Sequence, residues 1–494
     1  MMVKLGRFLA ICLSLFSLGL IALVVWPSAP APLPDRSDSR IVRNVRIVDV
    51  LSGKVLPPSS IEIRGGVITE IGPDLPDEGL PVVDGDGAFV IPGLWDMHVH
   101  TFQNSPQAHF PLWIANGVTA VRDMMDCPGV EDSLIACHAD KRAWNAASAG
   151  GRLTAPRIVE TASYYLEGED VTPSQARSRI AEYDTRGLNA IKVYNRLPRA
   201  SYLAAAQEAE RRGLRLVGHL PKEVGLIEAI EAGQTSFEHA HLLPRHCFAR
   251  ADDWREGRLD AMTPMERDRA IVAEYGAARC TSAIETMAQK GVWYVPTLVT
   301  REEDMRADEP EFVDDARLAY LDPLSKWAWN DDLSATRSAY AGPEGQKVLT
   351  AYFEHARDLS GQAYKAGANV LVGTDTILGG FRYHDEMAHL VRAGLSPTEV
   401  LRAATYDAAR YVGEEGVAGS IAVGKRADLV LLGANPLTDI ANTRSIRAVV
   451  QGGRLYDRAR LDELLDYARE QAKAPHNWAK LVWGFVRSSV NGDL

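Results

Sequence analysis

The sequence predicts an α/β chain: a (β/α)8 TIM-like barrel, a small β-sandwich domain built from both chain ends, and an N-terminal hydrophobic signal or anchor helix. Three observations lead there. At 494 residues the chain has room for a barrel and a second domain. Its middle alternates strand-like runs with amphipathic stretches, the pattern of parallel βαβ units. Short β-branched runs broken by turns flank that middle at both ends. With 46% hydrophobic and 24% charged residues the chain is ordinary globular material, which excludes a disordered protein. Lys+Arg 54 against Asp+Glu 65 gives −11 with no long basic run, which argues against a nucleic-acid partner.

At the amino end, Lys4 and Arg7 precede an apolar run from Phe8 to Trp26. As a helix it spans roughly 28 Å, near the ~30 Å hydrocarbon core of a bilayer. A cleaved signal usually has a shorter apolar region of ~7–15 residues. An uncleaved membrane anchor and a cleaved signal are both open. Either way the positive end stays inside and the remainder is exported, to a periplasmic or other extracytoplasmic location. In an oxidising compartment the even set Cys127, Cys137, Cys247 and Cys280 can pair. Local separation favours Cys127–Cys137 and Cys247–Cys280, with free buried thiols as the alternative.

Residues 1–34 are read as signal or anchor plus a Pro-rich linker. Residues 35–87 and 417–459 form the composite β domain, 88–416 the barrel, and 460–494 a helical tail. The barrel strands are read at 88–100, 118–124, 157–163, 189–194, 214–220, 234–240, 292–299 and 369–375. Between them lie helical stretches such as RASYLAAAQEAERRG, stopped by Gly213. The gap from Leu242 to Gly291 and the charged segment 301–345 are insertions expected to form helices over one barrel face.

The chemistry sits at the strand ends. His98 and His100 are two apart on a strand, so both imidazoles point the same way. A lone HxH is a weak signal. Lys192 and Tyr194 end the fourth strand, His219 the fifth, His239 the sixth and Asp375 the eighth. In a parallel barrel those positions converge at the carboxyl-terminal face, where barrel enzymes keep their active sites. Four His, a Lys and an Asp meeting there point to a metal centre rather than to scattered core residues.

That order, with the preamble VIPGLWDMHVH and the segments TAVRDM, IKVY, FEHAH, VGTDT and GSIAVGKRADLVLLGANPLTDI, resembles the amidohydrolase superfamily, in its imidazolonepropionase-related and prolidase-like branch. The resemblance spans nearly the whole chain after residue 39. It implies two divalent metal ions, zinc foremost, with manganese, cobalt or nickel as alternatives. His98, His100 and Asp375 would hold one ion and His219 and His239 the other. Lys192, converted by carbon dioxide to a carbamate, would bridge them. Desolvation beside cations lowers a lysine's pKa and frees its lone pair for that step. A water shared by two ions becomes a hydroxide near neutral pH and attacks the carbonyl carbon. Asp375 takes the proton and passes it to the leaving nitrogen.

Around this centre several residues are candidates. Tyr194 shares a face with Lys192 and can polarise the substrate carbonyl. His384 follows the eighth strand and is read as a substrate contact, with Glu386 beside it. His241 is an alternative to His239 as ligand. Tyr164 and Tyr165 are rim candidates, and Arg122 and Asp123 are read as a buried ion pair with each other. A substrate carboxylate needs a cation, and Arg196, Arg245 and Arg382 all follow strand ends. The expected activity is hydrolysis of an amide-like bond in a dipeptide of the Xaa-Pro kind or an N-acyl amino acid. A cyclic amide, lactone, ester or carbamate substrate is the alternative within the enzyme class, and a non-catalytic membrane-tethered binding protein is the alternative outside it. Expected partners are a small-molecule substrate, the membrane if the N-terminal segment is retained, and a second copy in a homo-oligomer.

Overall fold

The computed structural model describes residues 18–490. Of the apolar run Phe8–Trp26, residues 8–17 lie outside the described residues. Among those described, no helix is long and apolar enough to cross a membrane.

Both chain ends build one small β domain. Its main path runs from Arg454–Tyr456 through Ile446–Gln451, Leu429–Leu432, Val82–Pro92, Arg40–Asp49 and Ser59–Arg64 to Val67–Gly72. The ends join where Leu429–Leu432 pairs antiparallel with Val82–Pro92, in the register Val430↔Ile91. The expected sandwich is instead a single sheet curled on itself. Its edge strand Val67–Gly72 reaches the segment before Leu429: the Ile68 N–H donates to the Lys425 carbonyl at 2.8 Å and the Ala427 N–H to Gly66 at 2.8 Å. Curling closes the apolar face, so Val42, Val45, Ile61, Val90, Leu429 and Val450 form its core. A bulge at Asn44, φ 52°, slips the alternation by one residue and turns both Val42 and Val45 inward. The strand Val82–Pro92 also crosses the 87/88 boundary expected between the domains.

The barrel strands are β1 (Leu94–Val99), β2 (Val118–Asp123), β3 (Arg157–Thr161), β4 (Ala190–Val193), β5 (Arg215–Gly218), β6 (Gln234–Glu238), β7 (Trp293–Val295) and β8 (Asn369–Val370). Every ladder between them is parallel. A parallel bridge, Ala162↔Ala190, links β3 to β4. Closure between β8 and β1 comes from the Met97 N–H on the Val372 carbonyl and the Asp375 N–H on the His98 carbonyl, both 2.9 Å. The strands are almost wholly buried because helices cover the barrel outside, so polar residues such as Arg122, Lys192 and Glu238 are buried with them.

The insertions are helical, as expected. Leu242–Cys247, Ala251–Arg255 and Pro264–Ala273 precede the barrel helix Ala277–Lys290, and Leu298–Met305 and Pro323–Ala339 follow β7. Disulfides join Cys127 to Cys137 and Cys247 to Cys280. The tail is two helices, Arg458–Lys473 and Pro475–Arg487, broken where Pro475 starts the second.

Candidate metal centre

His98, His100, Lys192, His219, His239 and Asp375 meet at the carboxyl-terminal mouth of the barrel. All but the fully buried His98 line one cavity of about 190 Å3, together with Tyr165, Tyr194, His241, Thr300 and Arg301. Asp375 is the hub. Its carboxylate lies 3.1 Å from His100 Nε2, 3.7 Å from His98 Nε2 and 3.6 Å from His239 Nδ1. Lys192 Nζ is 3.4 Å from His98 Nε2.

Local backbone geometry delivers these side chains. Asp96, buried just before His98, accepts the Thr374 hydroxyl at 2.6 Å, the Thr374 N–H at 3.0 Å and the His98 N–H at 3.2 Å. It therefore ties the end of β1 to the chain leaving β8, where Asp375 takes φ 49°. Gly218 precedes His219 at φ 108°, and a Cβ there would sit 2.6 Å from the Val193 carbonyl oxygen. Only glycine lets His219 pass so close to β4. His239 leaves β6 at φ 75°, a left-handed conformation that turns its ring into the cavity.

A second set of bonds orients three of the imidazoles, while His100 Nδ1 has no hydrogen-bond partner among the described residues. His98 Nδ1 donates to Glu238 at 3.1 Å, His219 Nδ1 to Asn195 Oδ1 at 2.8 Å, and His239 Nδ1 lies 3.0 Å from Thr297 Oγ1. Outer-shell partners of this kind leave Nε2 with its lone pair on His98 and His219, and the Thr297 hydroxyl, which can give or take the bond, orients His239. His219 Nε2 and His239 Nε2 then face each other at 2.9 Å. A cation between them can take a lone pair from each ring, so the pair fits a metal ion. His98, His100 and Asp375 fit another, their ligand atoms lying within 4.8 Å of one another. The nitrogen and oxygen donors suit zinc and its first-row neighbours.

The electrostatics keep the donors ready. Burial pushes the His98 imidazole down to about 4 and holds His219 and His239 well below the usual range, so all three are neutral. Burial favours a protonated Asp375, but its imidazole surroundings, with the His100 hydrogen bond among them, hold its carboxyl well below the usual carboxylate range. Burial also brings the Lys192 ammonium down to about 8, against the opposing pull of Asp375 and Glu238.

Several sequence expectations change. Arg122 and Asp123 do not pair with each other, because neighbours in a strand face opposite sides. Arg122 instead binds both Glu238 oxygens at 2.8 Å across the barrel, and Asp123 binds Lys141 at 2.9 Å. His384 is turned away from the mouth. It is fully buried on the helix Phe381–Arg392, with Nδ1 2.9 Å from Thr443 Oγ1 beside the β domain. Glu386 accepts the Val299 N–H at 2.8 Å. Tyr194 does line the cavity, stacked on Tyr165 at 4.5 Å, while Tyr164 stacks behind Tyr165 at 5.0 Å. His241 stacks on His239 at 5.6 Å, but His239 is the ring aimed at His219.

Of the arginines proposed for a substrate carboxylate, Arg196 is exposed on Glu167, and Arg382 is buried between Glu302 and Asp385. Arg245 follows His241 by one helical turn and forms no ion pair among the described residues. Arg301, which the sequence reading assigned to the insertion, lines the cavity itself. A larger cleft of about 750 Å3 lies between the β domain and the barrel, but its Arg157, Arg426 and Arg454 already face Glu414, Asp428 and Asp38.

The model of the amidohydrolase family matches residues 89–456. The chain is 25% identical over 450 residues to an imidazolonepropionase of Cupriavidus pinatubonensis, covering 86% of this chain and 92% of that protein. It is 25% identical to an ochratoxinase of Aspergillus niger over 254 residues, 51% of this chain and 39% of that one. Among solved structures, a bottromycin amidohydrolase superposes with a TM-score of 0.69 at 25% identity, covering 93% of this chain and 95% of the other. A Xaa-Pro dipeptidase superposes at 0.59 with 20% identity, over 85% of this chain and all of its own, a likeness of fold. A cluster of histidines and an aspartate at the mouth of a closed barrel, with the family match across barrel and β domain, leads to one conclusion: this chain belongs to the amidohydrolase family and is a hydrolase acting on carbon–nitrogen bonds.

Proposed function

We propose that the chain is an exported, binuclear metal-dependent amidohydrolase that cleaves an amide-like bond in a small substrate with a free carboxylate, a dipeptide of the Xaa-Pro kind or an N-acyl amino acid. The observation that carries this reading is the opposed pair of Nε2 atoms of His219 and His239, 2.9 Å apart and beside the His98–His100–Asp375 cluster. His98, His100 and Asp375 would hold one ion, and His219 and His239 the other. Lys192 would lie between them as a carbamate, formed when its free amine adds to carbon dioxide and releases a proton. Bound divalent ions supply Lewis acidity to the carbonyl and acidify a water at neutral pH.

The remaining work falls to the chain. Asp375, held well below the usual carboxylate range, accepts the water's proton and returns it to the leaving nitrogen. The Tyr194 hydroxyl donates to the carbonyl oxygen. Arg301 on the cavity wall and Arg245 behind His241 receive the substrate carboxylate: Asp304 pairs with one end of the Arg301 guanidinium at 2.7 Å, and the Nε of each arginine has no hydrogen-bond partner among the described residues. The Xaa-Pro dipeptidase among the structural neighbours is in keeping with such a substrate. Two disulfides support an oxidising, extracytoplasmic compartment.

The test is a panel of Xaa-Pro dipeptides, N-acyl amino acids, their carboxyl-terminal amides, and lactones, run on wild type and Arg301→Gln. Free acids should be cleaved at least ~30-fold faster than their amides, since removing one partner of a hydrogen-bonded charge pair costs ~2–5 kcal/mol, and Arg301→Gln should erase most of that gap. Equal turnover of acids and amides by the wild type would remove the carboxylate from the substrate class.

A further inference from the structure

The last helix, Pro475–Arg487, is apolar on two faces. The inner face is fixed. Leu481 and Phe485 pack in a cluster with Met125, Tyr164 and Tyr165, and the Ser133 hydroxyl donates to the Gly484 carbonyl at 2.8 Å. A Cβ at Gly484 would lie 2.4 Å from the Ser133 carbonyl oxygen, so the helix sits as close to the barrel loop as glycine permits. The outer face carries Trp478 and Trp483, 36% and 49% exposed, with Val482 between them. So wide an apolar surface on one helix is normally buried. Trp478 is partly sheltered in a crevice beside Tyr320 and Gln471, but among the described residues Val482 and Trp483 are left open over much of their surface.

Two further facts name what covers it. First, the chain enters the fold here. Ser28 is held to this helix, its hydroxyl donating to Asn477 Oδ1 at 2.8 Å and accepting from Lys480 Nζ at 2.8 Å. Trp26, 60% exposed, stands two residues before it and ends the apolar run that begins at Phe8. Second, the helix holds Lys480 and Arg487 and no acidic residue, with Arg487 stacked 5.8 Å over the Trp483 ring. Tryptophan with Lys and Arg on one helix is the composition that settles at the polar–apolar boundary of a bilayer.

We propose that the outer face of Pro475–Arg487, together with Trp26, rests in the interfacial layer of a lipid bilayer. The mouth of the metal centre then opens next to the membrane surface, because Tyr165, against which the inner face packs, also lines the cavity. Substrates reaching the mouth along the membrane, such as peptides or acylated amino acids partitioned there, would gain access ahead of dilute soluble ones. The surface is independent of the chemistry assigned to the cavity.

The test uses the full chain in phosphatidylcholine–phosphatidylglycerol vesicles whose acyl chains are brominated near the headgroups, with tryptophan emission as the readout. Trp478→Phe/Trp483→Phe keeps the face apolar while removing two of its reporters. The wild type should be quenched, and the quenched component should fall about threefold in the double variant, as one of three interfacial tryptophans remains. An equal quenched component in both proteins, or none in the wild type, would overturn the proposal. So would sedimentation in mild detergent that shows a dimer dissolved by Trp478→Glu/Trp483→Glu, because the face would then belong to a second copy.

Discussion

Replacing Glu238 by glutamine probes how the centre is held. Glu238 and Arg122 are both fully buried and joined through two 2.8 Å bonds, and the same carboxylate accepts from His98 and from Ser236 Oγ at 2.6 Å. Burial would protonate Glu238, but Arg122 holds it ionised. Glutamine keeps the shape and one acceptor but strands the Arg122 charge. Removing one partner of a buried pair costs about 3–5 kcal/mol. At ~2–4 °C per kcal/mol for a large domain, melting should fall by about 10 °C. His98 also loses its charged orienting partner, which costs ~10–100-fold in metal affinity. Urea unfolding of the metal-free protein measures the first effect, and competition with a chromophoric chelator for zinc measures the second. In Arg122→Met/Glu238→Gln much of the stability should return, because no charge is left stranded, while zinc affinity stays low. If Glu238→Gln unfolds within about 1 kcal/mol of wild type and binds zinc as tightly, Glu238 neither balances Arg122 nor orients His98.

Three further outcomes are expected. Burial raises the Glu386 carboxyl to about 8, so the folded chain keeps a proton that the unfolded chain loses near 4.5. Its contribution to stability is therefore full below pH 4.5 and is lost as pH rises towards about 8, on the order of 5 kcal/mol in all; urea midpoints of Glu386→Gln should lack that slope. Cys247→Ala/Cys280→Ala opens a 33-residue separation and should cost about 4 kcal/mol, read by thermal unfolding without reductant. His384→Ala should lose about 1–3 kcal/mol through its bond to Thr443 yet keep kcat/KM within about twofold. A hundredfold loss of kcat/KM would return His384 to the reaction.

What the sequence made legible follows from the geometry of parallel barrels. Once the alternation of strand and helix is read, each strand's carboxyl end is known to face the same mouth, so His98, Lys192, His219, His239 and Asp375 come together without knowledge of their contacts. The pairing of the chain ends was legible for a similar reason: half-buried strands at both termini need partners. Partners across the barrel were not legible. Whether Arg122 meets Asp123 or Glu238 depends on which face of β2 points inward and on the offset between β2 and β6, neither of which is written in local sequence. His384 was misjudged because Gly380, at φ 88°, turns the helix that follows, so the ring faces Thr443. Arg301 sits in a charged run that reads as solvated surface, and only the path of the chain after Thr297, at φ 46°, brings it to the cavity. The sandwich expectation failed because strand pattern alone does not distinguish two sheets from one that curls.

The most direct test is metal content per chain, by elemental analysis of wild type, Lys192→Ala and His219→Ala after incubation with zinc and bicarbonate. The wild type should hold about two ions and each variant about one, with amide hydrolysis lost alongside the second ion. Wild-type protein that binds no metal under those conditions, or that turns over substrate at full rate after chelation, would contradict a metal-dependent hydrolase at this site.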